Sequence, residues 1–122
     1  MPVSYDFDDG VIVLRLSGEY APTDIKSAVL DALDDPLLPD GAQLLFDLRE
    51  SRAIQDRTAD DVRDMARFLA AHGLRFGNRV AMVTNGDLAF GLMRLGAVTA
   101  QSGGVEAEVF RDIHSARVWL DR

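Results

Sequence analysis

Hydrophobic and polar positions alternate along the first third of the chain in a way that predicts a β-hairpin followed by a helix. Residues 3–7 and 11–17 are two β-favouring runs on either side of Asp8-Asp9-Gly10, and an Asp-Gly turn between such runs is a strong hairpin signal. Hydrophobic residues then recur at helical spacing over residues 25–33. Thr23 has the side chain of a helix N-cap, so we expect the helix to begin there.

The middle of the chain predicts a buried strand, a polar loop and a second helix. Residues 43–48 are too apolar for a half-exposed strand and are typical of a central strand covered on both faces. Residues 49–57 form the polar loop, and residues 58–61 have the capping-box pattern that opens a helix, with Thr58 as the cap. Gly73 is expected to end this helix in a left-handed conformation. We expect the rest of the domain to be organised around this strand, loop and helix.

Two further strands are predicted at residues 79–84 and 106–110, each followed by a helix. Charges alternate in the second of them, which favours a place near an edge of the sheet. The element order is therefore ββαβαβαβα. Its strand–helix–strand crossovers imply a mostly parallel mixed sheet, with an antiparallel N-terminal hairpin and helices packed on it. At 122 residues, the chain is expected to form a single α/β domain, residues 1–122.

Composition and charge argue against several classes of protein. The absence of cysteine excludes disulfides and thiolate metal sites. Residues 1–60 hold 13 acidic and 5 basic side chains of a chain with net charge −7, which argues against a nucleic-acid partner. No run approaches the roughly 18 apolar residues of a membrane span, and no secretory signal is visible at the start. A cytoplasmic protein is expected, and the preference for arginine over lysine suggests a bacterial, GC-rich genome.

No catalytic constellation is visible in the sequence. His72 and His114 are expected to be ordinary surface histidines, and no nucleophile elbow or phosphate-binding loop is present. Asp60, Asp61 and Asp64 lie at a helix start, where carboxylates are expected for capping and for the helix dipole rather than for a metal. We therefore expect a protein that is not an enzyme and that needs no metal or other cofactor.

The segment after the central strand is the first candidate site. Its candidate residues are Arg49, Arg52, Asp56, Arg57 and Thr58. Ligands and partners usually meet a parallel sheet at the carboxyl ends of its strands, and free N–H groups at a helix start stabilise anions. A surface that docks a partner or binds an anion is one interpretation, and a solvated loop with an ordinary helix cap is the other.

The helix predicted over residues 88–101 is the second candidate. It is apolar nearly all round, and Gly91 and Gly96 lower its helix propensity, which favours a close-packing role. One of its faces carries Phe90, Met93, Arg94 and Ala97. Core packing, a homodimer interface and an apolar ligand pocket are the three alternatives for this face.

Three stretches of the sequence carry a family resemblance, namely FDLRESRAIQDRTADDV, RVAMVTNGDLAFGLMRL and the ending VFRDIHSARVWL. With the predicted element order, they make the chain resemble the SpoIIAA-like (STAS) superfamily, and within it the small bacterial STAS-like proteins of unassigned function. The resemblance covers nearly the whole length and implies a SpoIIAA-like fold.

The resemblance also implies a regulatory role. Anti-sigma-factor antagonists of this superfamily carry an Asp-Ser-Ser/Thr-Gly-like motif whose hydroxyl is phosphorylated, and the matching stretch here is Asp56-Arg57-Thr58-Ala59. Arg57 stands at the usual acceptor position and Ala59 at that of the glycine, so Thr58, one place along, is the candidate phospho-acceptor. The function implied is a non-enzymatic regulatory or protein-interaction module that docks a partner through this segment. The alternative is a carrier or sensor of a small apolar or acidic, lipid-like ligand in a pocket bounded by the helix at residues 88–101.

Overall fold

A computed structural model describes residues 2–121 of the chain and contains five strands and four α-helices within that range. The strands are β1 (Val3–Asp8), β2 (Val11–Gly18), β3 (Gln43–Ser51), β4 (Arg79–Val83) and β5 (Glu106–Phe110). The helices are α1 (Pro22–Leu33), α2 (Ala59–Ala71), α3 (Asp87–Ser102) and α4 (Ile113–Leu120), and short 3₁₀ helices precede and follow α2 at Ala53–Asp56 and Gly73–Phe76. The predicted order ββαβαβαβα is confirmed.

The five strands form one mixed sheet in the order β1-β2-β3-β4-β5. β1 pairs with β2 antiparallel, and the other three pairs are parallel, as predicted. β3 is the middle strand, and β5 lies at an edge, so both predicted positions are confirmed. All three crossover helices, α1, α2 and α3, pass on the same side of the sheet and cover one face. The last helix, α4, follows β5 and covers the other face.

The sheet has a hydrophobic core on each face. Alternate residues of a strand point to opposite faces, so Ile12 and Leu14 of β2 join the larger core under α1–α3, whereas Val11 and Val13 join the smaller core under α4. In β3, Leu45 likewise packs in the smaller core. Burial on both faces of the sheet is the physical reason that the sequences of the central strands are continuous apolar runs.

β3 is longer than predicted and ends at Ser51. The pairing register of β2 shifts after Arg15, and the strand then continues to pair with Glu50 and Ser51 of β3. Arg49 is therefore a strand residue, and its prediction as the start of a loop was wrong. The rest of the predicted loop also contains regular secondary structure, because Ala53–Asp56 forms a 3₁₀ helix.

The start of α1 also differs from the prediction. The N-cap is Ala21, and Pro22 occupies the first helical position, where its fixed φ and its missing N–H suit a helix start. Thr23 therefore lies inside the helix and does not cap it. The Asp24 carboxylate accepts a hydrogen bond from the Ala21 N–H at 2.9 Å, so a carboxylate three residues along satisfies the cap backbone instead.

The end of α2 is not at a left-handed Gly73. After the C-cap residue His72 the chain continues into the 3₁₀ helix Gly73–Phe76, and the left-handed residue is Gly77, with a φ of 69°. A side chain at Gly73 would collide with the amide of Asn78. Gly73 thus lies in close contact with side chains later in the chain, which its position after a helical pattern did not indicate.

α3 is apolar nearly all round, as its sequence indicates, but it is buried along one stripe only. Its buried residues are Ala89, Met93, Gly96, Ala97 and Ala100. Leu88 and Val98 are each 60% exposed on the outer side of the helix. The close-packing role predicted for the glycines is confirmed at Gly96, where an added Cβ would lie 3.0 Å from Val62, but it is wrong at Gly91, which faces open space.

Candidate functional site

The segment of residues 49–58, termed here the β3–α2 segment, lies at the carboxyl edge of the sheet and is held from both sides. On one side, the backbone N–H of Arg52 donates to the carbonyl of Gly18 at the end of β2, at 3.0 Å. On the other side, the side-chain amide of Asn85, just after β4, donates to the carbonyl of Arg49 at 3.0 Å. These bonds give the segment a defined position between its two neighbours.

The buried side chain of Tyr20 holds the β3–α2 segment in place. Its hydroxyl is hydrogen-bonded to the hydroxyl of Ser51, which also accepts a bond from the Ile54 N–H at 3.3 Å. The Tyr20 side chain is buried, and burial raises the pKa of its phenol above the ordinary value of 10.0, although the bond to Ser51 and the charge of Arg57 act in the opposite direction. The phenol is therefore a neutral, structural group.

Arg57 folds back onto Tyr20 and is only partly accessible. Its guanidinium donates a hydrogen bond to the Tyr20 carbonyl and lies over the Tyr20 ring, with 5.4 Å between Cζ and the ring centroid. A cation stacked on an aromatic face in a half-buried position is attracted by the ring quadrupole. Arg57 therefore joins the start of α2 to the segment before α1.

Arg49 is also engaged within the protein. Its Nε and Nη2 atoms donate to the two carboxylate oxygens of Asp47 at 2.9 and 2.8 Å, a bidentate pair. Burial of Asp47, whose side chain is 13% exposed, would raise the pKa of its carboxyl. The hydrogen bonds from Arg49 and the charges of Arg49 and Arg15 outweigh burial, so the pKa lies below its ordinary value.

This lowered pKa predicts a pH dependence of stability. In the unfolded chain the Asp47 pKa returns to about 3.9, so the ionised pair stabilises the fold above that pH, and the stabilisation is lost as the pH falls through the lower, folded-state value. Asp47→Asn should therefore lower the free energy of unfolding by about 1 kcal/mol at pH 7 and by much less at pH 3. Urea unfolding at several pH values measures this difference.

The matched control for that experiment is Asp56→Asn, which changes an exposed carboxylate of the same segment. It should alter the free energy of unfolding by less than about 0.5 kcal/mol at each pH. A gap between wild type and Asp47→Asn that stays constant from pH 7 to pH 3 would contradict the role given to the ionised pair.

The start of α2 has the predicted capping box. The Thr58 hydroxyl oxygen accepts a bond from the Asp61 N–H, and the Asp61 carboxylate accepts one from the Thr58 N–H, each at 3.1 Å. Thr58 remains exposed, as do Arg52 and Asp56. Arg49 is exposed as well but is paired with Asp47, whereas Arg57 is half-buried against Tyr20.

An apolar cavity of about 60 Å³ lies beneath this segment, between the sheet and helices α1, α2 and α3. Its half-exposed lining residues are Pro22, Arg57, Asp61 and Met65, which mark the open side of the cavity. Its buried lining is formed by Leu16, Tyr20, Ile25, Phe46, Leu48, Ile54, Val62, Ala66, Leu69, Val80, Met82, Met93, Gly96, Ala100 and Ala107. The sequence indicated a pocket beside α3, but it carried no signal that residues of the β3–α2 segment would form the rim.

The four candidate residues of α3 do not form one surface. Met93 is buried and lines the cavity. Phe90, Arg94 and Ala97 border an open groove between α3 and β5, and the guanidinium of Arg111 lies 4.3 Å from the centre of the Phe90 ring. Met93 and Ala97 are therefore packed in the core, while Phe90 and Arg94 lie along the open groove of the same helix.

The two histidines lie where the sequence placed them. His72 is the C-cap residue of α2, with its ring 4.8 Å from that of Phe68, and His114 is exposed in the first turn of α4. Among residues 2–121, no three His, Asp or Glu side chains come together in a way that could hold a metal ion. None of the helices in that part of the chain is long and apolar enough to cross a membrane.

No protein-family model matches the sequence, and no curated protein matches it either. The structure is similar to the crystal structure of an uncharacterized protein of the DUF3478 family with a SpoIIAA-like fold, from Shewanella loihica PV-4. The TM-score is 0.60 at 20% sequence identity, over 97% of this chain and 91% of that one. An identity this low establishes the fold alone, and it confirms the fold that the resemblance implied: the chain has a SpoIIAA-like, STAS-type α/β fold.

Proposed function

We propose that the protein is a non-enzymatic regulatory module that docks a partner protein through the β3–α2 segment. The observation that carries this proposal is that hydrogen bonds hold the segment on both sides while Arg52, Asp56 and Thr58 stay exposed. A loop that is already ordered loses little conformational entropy when a partner binds. The regulatory role implied by the sequence resemblance also supports the proposal, and the SpoIIAA-like fold agrees with that resemblance.

The chemistry of the surface also suits a protein partner. Arginine is enriched in protein interfaces, and Arg52 is the exposed arginine of the segment that is engaged neither with a carboxylate, as Arg49 is, nor with a ring, as Arg57 is. At the same edge of the sheet, the first turn of α3 exposes Leu88, an apolar side chain. An acidic partner surface with an apolar contact would complement this pair.

Charge reversal at Arg52 tests the proposal. Arg52→Glu should weaken partner binding at least tenfold, because it places a negative charge where an acidic partner group would bind. The measurement is cross-linking capture from extracts of the source organism with quantitative mass spectrometry, followed by a dissociation constant for each captured protein.

The matched control is Arg67→Glu, at an exposed arginine of α2 outside the β3–α2 segment. A partner bound through the segment is retained by Arg67→Glu and lost by Arg52→Glu. Capture of the same proteins in the same amounts by both variants would refute docking through this segment.

Two finer predictions accompany this function. Phosphorylation of Thr58 stays a prediction, supported by an exposed hydroxyl at a helix start, where a phosphate is stabilised by free N–H groups. Homodimerisation through the exposed part of α3 stays a prediction as well.

A second candidate function is favoured by the apolar cavity. Met93, Gly96 and Ala100 of α3 form part of its wall, which is the position that a carrier or sensor of a small apolar or acidic ligand requires. Arg57 lies at the rim beside Asp61 and adds a positive charge at the open side of the apolar interior.

A further inference from the structure

We propose that the cavity binds the aliphatic chain of a small monocarboxylate and that Arg57 binds its carboxylate at the rim. This inference rests on the second candidate function and names the class of ligand. The three features that carry it are an apolar interior, a polar rim on one side, and a guanidinium at that rim with N–H groups that make no hydrogen bond to residues 2–121.

The interior of the cavity selects an apolar occupant. Its buried wall is formed by aliphatic, aromatic and thioether side chains, together with the Tyr20 ring. Water that enters an apolar interior of this kind finds few hydrogen-bonding partners, so an apolar occupant is favoured over water. The charged groups, Arg57 and Asp61, lie on the open side. A fitting ligand therefore has an apolar chain with one polar end.

Arg57 selects the charge of that polar end. A guanidinium has five N–H donors, and one nitrogen of Arg57, Nη2, is bonded to the Tyr20 carbonyl. Its other nitrogens can bind a carboxylate while that bond is kept, in the planar geometry that suits carboxylates. Asp61 is already engaged as the acceptor of the Thr58 N–H at a helix N-terminus, which stabilises its charge. An ammonium group would be repelled by Arg57.

The size of the cavity limits the chain. A dry cavity of about 150 Å³ accommodates benzene, so a void of about 60 Å³ has room for two or three carbon atoms without rearrangement. Met65, Met82 and Met93 line the wall, and methionine side chains adapt readily to a new occupant. We therefore expect chains of about four to six carbons to bind, with each added methylene strengthening binding about fourfold.

Nuclear magnetic resonance of methionine methyl groups tests this ligand class directly, because three of the four methionines line the cavity. The full-length protein, labelled at methionine methyl carbons, is titrated with butyrate, hexanoate, hexanol and hexylamine. Hexanoate should shift the Met65, Met82 and Met93 signals saturably and bind at least tenfold more tightly than hexanol and hexylamine. Butyrate should shift the same signals with weaker binding.

A variant then isolates the role of Arg57. Arg57→Gln should weaken hexanoate binding at least tenfold and leave hexanol binding unchanged, so that hexanol reports an intact cavity. Arg67→Gln, at an exposed arginine of α2 that does not line the cavity, is the matched control and should bind hexanoate as wild type does. Should Arg57→Gln fail to fold, the comparison of hexanoate with hexanol on the wild-type protein decides the charge preference by itself.

The possible outcomes distinguish a failure of this inference from a failure of either proposed function. Equal binding of hexanoate, hexanol and hexylamine would overturn the carboxylate class while leaving a carrier of small apolar molecules. No shift of the three methionine signals with any probe would overturn both the inference and the second candidate function. Partner docking is judged by Arg52→Glu capture, which does not depend on the cavity.

Discussion

Replacing Phe76 with alanine is expected to lower the free energy of unfolding by about 3–5 kcal/mol, the range for a large aromatic side chain deleted from a packed core. Phe76 ends the 3₁₀ helix Gly73–Phe76, is 0% exposed and packs within the larger core under α1–α3. Its loss removes apolar contacts and leaves a void between α2 and β4, because the surrounding side chains cannot fill the space completely.

Urea unfolding of Phe76→Ala measures this effect, as a lower transition midpoint with an unchanged dependence on denaturant. Leu74→Ala is the matched control. Leu74 lies in the same 3₁₀ helix but is 88% exposed, so its truncation should change the free energy of unfolding by less than about 0.5 kcal/mol. Equal losses for the two variants would show that the helix, and not the burial of Phe76, determines stability here.

Replacing Gly103 with alanine is expected to lower the free energy of unfolding by about 1–3 kcal/mol. Gly103 is the C-cap residue of α3, and a Cβ there would lie 2.6 Å from the Cβ of Ala70 in α2. Both atoms are attached directly to the backbone, so the clash is relieved only if α2 and α3 move apart. Packing against α2, and not a left-handed conformation, is the reason for glycine, because the φ of Gly103 is −92°.

Gly91→Ala is the control for the second prediction, since Gly91 lies in the same helix and a Cβ there would meet nothing within 4 Å. Alanine has the higher helix propensity, so Gly91→Ala should raise the free energy of unfolding by about 0.5–1 kcal/mol. The two substitutions are thus expected to have opposite signs. A loss of similar size at both positions would contradict the close approach of α2 and α3 at Gly103.

Most elements that depend on neighbouring residues were predicted well, although the cap of α1 was assigned to Thr23 and is Ala21. The hairpin followed from an Asp-Gly turn between two β-favouring runs, and the cap of α2 followed from Thr58 and Asp61, three residues apart. Asp112 caps α4 through the Ser115 N–H at 2.8 Å, a contact over the same short spacing. The two partners of each interaction lie within a few residues of each other, so both can be recognised from the sequence.

Elements that depend on distant residues were predicted poorly. Strand β3 continues to Ser51 because β2 offers it a partner, and the outer side of α3 is exposed because the sheet and α2 cover one stripe of it. Gly73 was assigned a left-handed conformation because it follows a helical pattern, but its neighbour in space is Asn78. In each case the deciding contact comes from packing or pairing that no local pattern encodes.

The location of the candidate site was predicted from the sequence, but the contacts of its side chains were not. The polar residues after the central strand pointed to the carboxyl edge of the sheet, which is where the structure places them. Which of these arginines have a partner within the protein could not be predicted, because Arg49, Arg52 and Arg57 look alike in the sequence. The difference arises from Asp47, which binds one guanidinium, and from Tyr20, 37 residues from Arg57, which binds another.

The sequence by itself determined the order of elements, the hydrophobic faces of the central strands, the cap of α2 and the polar segment at the end of the middle strand. These follow from periodicity and from short-range hydrogen bonds, which act between residues close together in the chain. Only the tertiary structure decided that Arg52 and Thr58 are exposed, that Met93 faces a cavity, and that Arg57 lies at its rim. Those properties depend on which distant side chains share a volume, and side-chain packing is settled only when helices and sheet come together.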